Sequence, residues 1–291
     1  MLSTHFTQPA TALISKRFSC RVYQRRNLDP QTQQRITEIL SLLPTSPFNS
    51  HVRMKLLAVG EQDRRNLRRL GTYGFIKNPP AFIAGTVHKS INDMEDFGYL
   101  MELVVLHMTD LGLGTCWLGG SFTHSSFAKH TGLMEGEILP AVIAVGYIAE
   151  ERYPPAEWVR QLANARSRYN WEYLFFDGTF TKPLSKETAG KYALPLEMIR
   201  IAPSASNKQP WRVVRCNTGW HFYLQRTPGY GKGLASLVVH GDLQRIDLGI
   251  AMCHFAVTAQ ELGLTGHWQI NPPELPVQAG QAEYIASWIE K

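Results

Sequence analysis

The chain has 291 residues, of which 44% are hydrophobic and 19% charged, so its composition excludes a disordered or fibrous protein. No apolar run is long enough to span a membrane, and the N-terminus lacks the features of a secretory signal, so we expect a cytoplasmic protein without a membrane partner. Four scattered cysteines without a Cys-x-x-Cys pair predict reduced core thiols, not a disulfide framework or a metal site.

A net charge of +6 is compatible with binding to a polyanion. Basic residues cluster at 16–26 and 64–69, but no base-reading motif accompanies them, so we expect no nucleic-acid partner. Most of these residues are interpreted as a solvated surface. A few of the arginines are enough for a local site that binds one small phosphate.

Hydrophobic periodicity predicts helices interspersed with runs of strands, which is typical of an α+β fold with helices around a mixed sheet. Residues 1–15 are interpreted as a poorly structured lead-in, and the irregular stretch 149–184 as the connection between two halves. The first half is predicted to contain a helix at 30–43, strands at 51–60 and 79–87, a helix at 96–111, a loop at 115–120 and a strand at 138–148. The second half is predicted to contain a helix at 188–201, strands at 211–216, 221–226 and 234–241, a helix at 247–262 and a strand at 265–270.

One segment of the chain occurs twice. The residues from Asp96 to Trp117 return from Asp247 to Trp268 at a constant offset of 151, and seven of the 22 aligned positions are identical. This offset is too long for a solenoid repeat and corresponds to half of the chain. The repeat therefore predicts two fused copies of one unit, equivalent to a symmetric dimer made on a single chain.

The repeat sets the expected domain organisation. We expect a first half at 16–150, a connecting segment at 151–186 and a second half at 187–291, together one compact unit. The two repeat helices are expected to pack against each other near a pseudo-twofold axis, because both carry apolar residues at helical spacing. Since the dimer contact would lie within the chain, this organisation permits a monomer.

Small polar residues stand at a predicted helix–strand junction in the second half. Residues 203–207, Pro-Ser-Ala-Ser-Asn, follow the helix, and Gln209 precedes a strand that begins at Trp211. Short hydroxyl and amide side chains next to exposed backbone N–H groups can close around a polar ligand. An ordinary turn of the same composition is the alternative.

Alternating basic residues form two further motifs. On an extended segment Arg17, Ser19 and Arg21 share one face, because side chains alternate with a period of two. Two guanidinium groups and a hydroxyl on one face suit a phosphate, and a basic surface strand is the alternative. Arg166 and Arg168 repeat the alternation in the connecting segment, where a solvated linker is the alternative.

A glycine-rich stretch, GLGTCWLGG at 112–120, ends the first repeat. Its paired glycines permit the close approach of a flat ligand to the backbone. A helix C-cap followed by a turn is the alternative.

Together, RFSCRVY at 17–23, GLGTCWLGG at 112–120 and APSASNKQPW at 202–211 resemble the nitroreductase family of FMN-dependent oxidoreductases. WEYLFFDGTFTKPLS between the halves resembles the subgroup with two family-like halves in one chain. The resemblance implies a nitroreductase-like α+β fold, a mixed sheet flanked by helices, with two pseudo-twofold-related halves fused as an intrachain pseudo-dimer. Ordinary members are homodimers that bind each FMN at the interface between subunits.

The resemblance also implies site residues. Arg17 and Ser19 are expected to bind the FMN phosphate, Arg21 to reach the pyrimidine side of the flavin, and the backbone of Gly119 and Gly120 to face its N5 edge. A basic pair, Arg166 and Arg168, follows the last core strand of the first half and is expected to extend the phosphate site. The full set of expected cofactor-binding residues is Arg17, Ser19, Arg21, Trp117, Leu118, Gly119, Gly120, Arg166, Arg168, Pro203, Ser204, Ala205, Asn207 and Gln209.

Each half has kept what the other has lost. The first half lacks Gln-Pro-Trp after Pro44 and Asn49, whereas the second half has no Arg-x-Ser-x-Arg and carries LTGHWQI in place of LGTCWLGG. The retained motifs complement one another across one interface, so we expect one FMN per chain. A second site, built from Leu42–Asn49 and Trp268–Ile270, is expected to be empty because it has no arginine pair for a phosphate.

The resemblance implies an FMN oxidoreductase that takes hydride from NAD(P)H and reduces an electron-poor small molecule such as a nitroaromatic or a quinone. The flavin carries the chemistry, so no catalytic side chain and no metal is expected. The alternatives are a non-catalytic flavin carrier or sensor, and a basic nucleic-acid-binding protein.

Overall fold

The structure is a computed structural model that describes residues 6–58, 76–120, 124–150, 153–162, 164, 167–216, 219–230, 241–274 and 282–291. The helices are α1 (Ala10–Lys16), α2 (Pro30–Ser41), α3 (Asp93–Asp110), α4 (His124–Thr131), α5 (Pro154–Leu162), α6 (Lys186–Ala189), α7 (Ala193–Arg200) and α8 (Leu243–Glu261). The strands are β1 (Val52–Ala58), β2 (Ala81–His88), β3 (Gly114–Leu118), β4 (Glu137–Ile138), β5 (Val142–Gly146), β6 (Phe175–Asp177), β7 (Trp211–Cys216), β8 (Gly219–Leu224), β9 (Gly266–Gln269) and β10 (Glu283–Glu290).

Two sheets repeat one strand order. In the first half the order is β1-β2-β5-β3, with β4 also paired to β2, and in the second half it is β7-β8-β10-β9. All of these neighbours are antiparallel. The second sheet gains one parallel strand, β6, which pairs with β7 and comes from the segment between the halves. The corresponding orders confirm the duplicated α+β architecture that the sequence repeat predicted.

The repeat helices α3 and α8 pack against each other between the two sheets. One continuous apolar core contains residues of both helices together with the inward faces of both sheets, including Phe97, Ile143, Phe222 and Phe255. The two helices run in the same direction, since Glu95 contacts Arg245 near their N-termini and Glu102 contacts His254 further along both. The prediction that these helices form the shared core is confirmed.

Two glycines at equivalent positions let these helices approach closely. A Cβ atom added to Gly98 would lie 2.3 Å from the carbonyl oxygen of Ile246, and one added to Gly249 would lie 2.1 Å from that of Glu95. Gly98 and Gly249 are related by the offset of 151, as are Glu95 and Ile246. Reciprocal contacts of this kind are the property of a twofold interface.

Several elements differ from the predictions. Residues 10–16 form helix α1 where a poorly structured lead-in was expected, because Ala10, Leu13 and Ile14 are buried against residues of α3, α7 and α8. Residues 115–118 belong to β3 and are not a loop, because they pair with β5. The connecting segment contains α5 and β6, and β10 was not predicted. The strand predicted at 234–241 lies, except for its last residue, outside the described residues.

No helix in the described ranges is both long and apolar enough to cross a membrane.

Candidate functional site

The loop between α7 and β7 has an unusual backbone. Ser206, Asn207 and Gln209 have positive φ values of 50°, 54° and 48°, and they make up three of the six non-glycine residues with positive φ in the described chain. Non-glycine residues adopt this conformation at a cost, so a cluster of three requires support from the surroundings. The loop also holds Pro203, Ser204 and Ala205, all half-buried.

Hydrogen bonds from this loop fix the connecting segment. The Asn207 side-chain amide donates to the carbonyl oxygens of Asn164 at 2.8 Å and Ser167 at 3.1 Å, and its oxygen accepts from Arg168 Nη1 at 3.1 Å. The Gln209 side-chain oxygen accepts from the backbone N–H of Tyr169 at 2.9 Å. Asn207 and Gln209 were expected to contact the cofactor directly, and the structure shows them placing Arg168 and its neighbours.

The repeated aspartate supports the corresponding loop in each half. Asp247 Oδ1 accepts from the backbone N–H of Ala205 at 2.9 Å, whereas its Oδ2 is buried without a hydrogen-bond partner. In the first half Asp96 accepts from Ser46 Oγ, Phe48 N and Ser50 N at 2.8–2.9 Å. Burial raises the pKa of both carboxyl groups. The loop of the first half is therefore closed on its own aspartate by three hydrogen bonds, whereas the loop of the second half makes a single hydrogen bond to Asp247.

Two arginines from different parts of the chain lie close enough for their charges to interact. Arg17 ends α1 and its side chain is 8% exposed, and Arg168 lies in the connecting segment. Burial lowers the pKa of Arg168, and the nearby positive charges of Arg17 and Arg200 lower it further. Arg200 is itself ion-paired to Glu197 at 2.5 Å. The result is a half-enclosed cationic cluster to which both halves contribute.

Glu102 on α3 is the carboxylate next to Arg17 in this cluster. It is fully buried, and its Oε1 lies 3.6 Å from Arg17 Nε and 3.0 Å from His254 Nε2. Its Oε2 accepts from the indole N–H of Trp117 at 2.8 Å. Glu102 thereby connects the first-half arginine, the glycine-rich stretch and helix α8. Its only sequence signal is a single acidic residue inside the apolar run LMELVVL.

The equivalent position in the second half lacks this carboxylate. By the offset of 151, Glu102 corresponds to Cys253 and Trp117 corresponds to Trp268. The indole nitrogen of Trp268 is buried without a hydrogen-bond partner, and its ring packs against Phe222 and Trp288 at centroid distances of 4.9 and 5.3 Å. The second half thus surrounds Trp268 with aromatic side chains, whereas the indole N–H of Trp117 in the first half donates to Glu102.

Ser19 and Arg21 lie on the edge of the first sheet. Ser19 forms a parallel bridge with Thr115 of β3, and Cys20 donates its backbone N–H to Thr115 at 2.7 Å. Cys20 is buried whereas Ser19 and Arg21 are half-buried, and Phe18, which alternates with Cys20, is 44% exposed, so burial does not follow a strict period of two. Arg21 Nη1 is shielded from solvent without a hydrogen-bond acceptor.

Only some residues of the stretch from Trp117 to Gly120 lie on the side of the sheet that carries the arginine cluster. Trp117 faces Glu102, whereas Leu118 points into an apolar cluster with Phe82 and Phe127 on the other side of the sheet. The expected contact of Leu118 with a ligand is therefore limited to its backbone. Gly119 lies beside Leu243 at the start of α8, where a Cβ would approach within 2.7 Å.

The structure thus links Arg17 and Trp117 through Glu102, and it links Arg168, whose charge interacts with that of Arg17, to Asn207 of the second-half loop. Ser19, Arg21, Gly119 and Gly120 lie on the same sheet edge or strand end. Arg166 lies outside the described residues. Glu102 and Asp247 support the site and were not among the residues predicted from the sequence.

Comparison with known proteins extends these observations. No curated protein matches the sequence. A solved structure described as a "putative nitroreductase" from Thermotoga maritima has a TM-score of 0.60 and 18% identity, and covers 98% of this chain and 95% of that one. An FMN-dependent nitroreductase from Clostridium difficile covers 54% of this chain and 97% of that one, with 21% identity and a TM-score of 0.40. A Bacteroides fragilis nitroreductase with bound FMN covers 50% and 92%, with 18% identity and a TM-score of 0.41.

At these identities the Thermotoga maritima structure shows a shared fold along nearly the whole of both chains. Residues 10–259 match the sequence family described as "Putative TM nitroreductase", and this range includes α1, both repeat helices and the loop at 203–209. The chain therefore belongs to this nitroreductase family.

Proposed function

We propose that the chain is an FMN-dependent oxidoreductase that reduces an electron-poor small molecule, such as a nitroaromatic or a quinone, with NAD(P)H. The observation that carries this proposal is the proximity of Arg17 to Arg168, which is itself hydrogen-bonded to Asn207 of the second-half loop. Two enclosed guanidinium groups that repel each other are stabilised by an anion, and a terminal phosphate has the charge and the oxygen atoms to bind both.

The residues present fit FMN on three observations. Arg17 Nε and Arg21 Nη1 are buried nitrogens without a hydrogen-bond acceptor. The second-half loop carries three strained residues, which cluster at ligand-binding sites more often than elsewhere. Gly119 and Gly120 are half-buried at the end of the glycine-rich stretch and have no side chains to obstruct a flat ligand. Arg17, Ser19 and Arg168 would hold the phosphate, Arg21 would reach the flavin ring, and the bound flavin would supply hydride transfer.

The same contacts support one FMN per chain. The loop of the first half is closed on Asp96, and the position equivalent to Glu102 is Cys253, a buried thiol in an apolar cluster with Leu103 and Val257. No arginine pair like Arg17 and Arg168 accompanies that loop among the described residues. A phosphate there would be desolvated without charge compensation.

The direct experiment is an absorbance spectrum of the purified protein before and after anaerobic addition of NADH or NADPH. We expect a flavin spectrum that bleaches with at least one of the two donors, and one FMN per chain after heat release. A flavin spectrum that neither donor bleaches would favour the non-catalytic carrier. A protein that binds no FMN on reconstitution would contradict the proposal.

Matched variants connect the spectrum to the site. Arg17→Ala and Arg168→Ala should each lose about 1.5–3 kcal/mol per charged hydrogen bond, or roughly ten- to a hundredfold in FMN affinity. Arg35→Ala is the control, because Arg35 is an exposed arginine on α2 whose side chain is 62% accessible. Equal FMN affinity in Arg17→Ala and Arg35→Ala would remove Arg17 from the phosphate site.

A further inference from the structure

Three potential metal ligands stand in one row across the edge of the first sheet. His88, the last residue of β2, is paired in register with Glu137 of β4. On its other side His88 donates its backbone N–H to the carbonyl oxygen of His51 at 3.1 Å, one residue before the pair of Val52 with Val87. Residues directly opposite one another on neighbouring strands project from the same face of a sheet.

The ligand atoms of these three side chains converge. One nitrogen from each imidazole and one carboxylate oxygen all lie within 4.8 Å of one another. The two imidazole rings stand edge to face with their centroids 5.7 Å apart, so their nitrogens are not blocked by stacking. Glu137 is buried, whereas both histidines reach solvent, which gives a cation an entry path and open coordination positions.

Glu137 is held in place by its own partners. Arg53 donates to both carboxylate oxygens, at 3.1 and 2.7 Å, and Thr86 Oγ1 and the Met134 backbone N–H donate at 3.0 and 2.9 Å. Each carboxylate oxygen therefore accepts two hydrogen bonds, and the group forms an ion pair with Arg53. Ligating carboxylates in proteins are commonly supported by hydrogen bonds of this kind. The charge of Arg53 also weakens binding of any cation, so the imidazoles must supply most of the affinity.

We propose that His51, His88 and Glu137 form a binding site for a divalent transition-metal ion of the Zn²⁺ type. Two imidazoles and one carboxylate are a ligand set that Zn²⁺, Co²⁺ and Ni²⁺ accept, whereas Mg²⁺ and Ca²⁺ require mainly oxygen ligands. The inference does not depend on the proposed flavin chemistry.

The position of the site indicates a structural role. The row joins the start of β1, the end of β2 and β4, whereas Ser19 is attached to β3 at the opposite edge of the sheet. His51 directly follows Ser50, whose backbone N–H is bound by Asp96. A bound ion would therefore fasten three strand ends next to the loop that is closed on Asp96. Since a ligand that binds only the folded state stabilises it, the ion should raise the unfolding midpoint.

The experiment uses the full chain without a histidine tag, freed of metal with a chelator and dialysed against Zn²⁺. Bound zinc is measured by elemental analysis, and Co²⁺ is used as a spectroscopic probe of the same site. His51→Ala and His88→Ala are the test variants, because both side chains are accessible and their loss leaves the Arg53–Glu137 pair intact. His267→Ala, an exposed histidine on β9, is the matched control.

We expect one Zn²⁺ per chain, a higher unfolding midpoint with Zn²⁺, and no effect of Mg²⁺ on either. Each test variant should bind at least roughly tenfold more weakly, whereas His267→Ala should bind like the wild type. Equal zinc binding by the wild type and the His51→Ala/His88→Ala double variant would overturn the proposal, as would full displacement by Mg²⁺. Absence of zinc binding would not bear on FMN binding, and absence of FMN binding would not bear on zinc binding.

Discussion

The helix backbone at Gly98 packs directly on the carbonyl oxygen of Ile246, at a distance that leaves no room for a Cβ atom. The reciprocal contact of Gly249 with Glu95 is equally close, and in both cases the obstructing atom is backbone. Gly98→Ala and Gly249→Ala should therefore each destabilise the chain by at least about 1–3 kcal/mol, although alanine in a helix interior is otherwise favoured over glycine by about 1 kcal/mol. Urea unfolding measures the change.

An exposed residue of α2, Thr37, provides the control for these substitutions. Thr37→Ala tests the general effect of introducing alanine into a helix, and it should be neutral or slightly stabilising. Wild-type stability in either glycine variant would show that the two repeat helices do not touch at these positions.

The second prediction concerns Glu95, a fully buried carboxylate on α3. It accepts from Arg245 Nε at 2.6 Å, but burial outweighs this ion pair and raises its pKa from 4.5 to about 7. Between these values the folded chain holds a proton that the unfolded chain has released, so stability falls as pH rises from about 4.5 to about 7. Glu95→Gln should remove this fall, as measured by unfolding midpoints at about pH 5 and about pH 8. An unchanged pH dependence in the variant would assign the titration to another group.

The third prediction concerns the coupling of Arg17 to Glu102. Removal of Glu102 leaves the nearly buried Arg17 without its carboxylate, which should cost about 3–5 kcal/mol for Glu102→Ala. In an Arg17→Ala background the stranded cation is absent, so the same substitution should cost less, with a coupling of about 0.5–3 kcal/mol. A double-mutant cycle by urea unfolding gives this difference directly. Strict additivity would mean that the 3.6 Å contact carries no energy.

The fourth prediction contrasts the two repeated aspartates. All three groups that contact Asp96 are donors, so Asp96→Asn places an amide N–H against one of them and should cost about 1–3 kcal/mol. Asp247 meets one donor, from Ala205, and its other oxygen has no partner. Asp247→Asn can keep that single bond and should cost less than about 1 kcal/mol. Thermal unfolding of both variants measures the two losses of stability. A larger loss in Asp247→Asn than in Asp96→Asn would contradict the prediction.

The duplicated architecture was predictable because the repeat helices are long and strongly apolar. Their observed starts, Asp93 and Leu243, precede the predicted ones by a few residues, since the identity between the copies begins only at Asp96 and Asp247. Helix α1 was missed because seven residues are too few to signal a helix, and its stability comes from packing against residues of α3, α7 and α8. Tertiary contacts of this kind leave no local pattern.

A local pattern was enough to select Arg17, Ser19 and Arg21 as candidates, because alternation with a period of two is visible in neighbouring residues. The roles of Asn207 and Gln209 in fixing Arg168 depend on a contact between segments roughly 40 residues apart, which alternation cannot show. Glu102 was missed because a lone acidic residue in an apolar helix acquires meaning only when Arg17, Trp117 and His254 surround it.

Glu102 and Cys253 occupy equivalent positions in the two halves, and this difference has a consequence for how such a chain can evolve. In a dimer of identical subunits every substitution occurs twice, so a carboxylate at this position would bury two negative charges at the same interface. Each buried ion costs several kcal/mol in lost hydration, and two like charges also repel. Once both copies are encoded in one polypeptide, each position mutates alone. An acidic residue can then be kept in one copy while its twin becomes a thiol, and the interior carries the cost of a single charge.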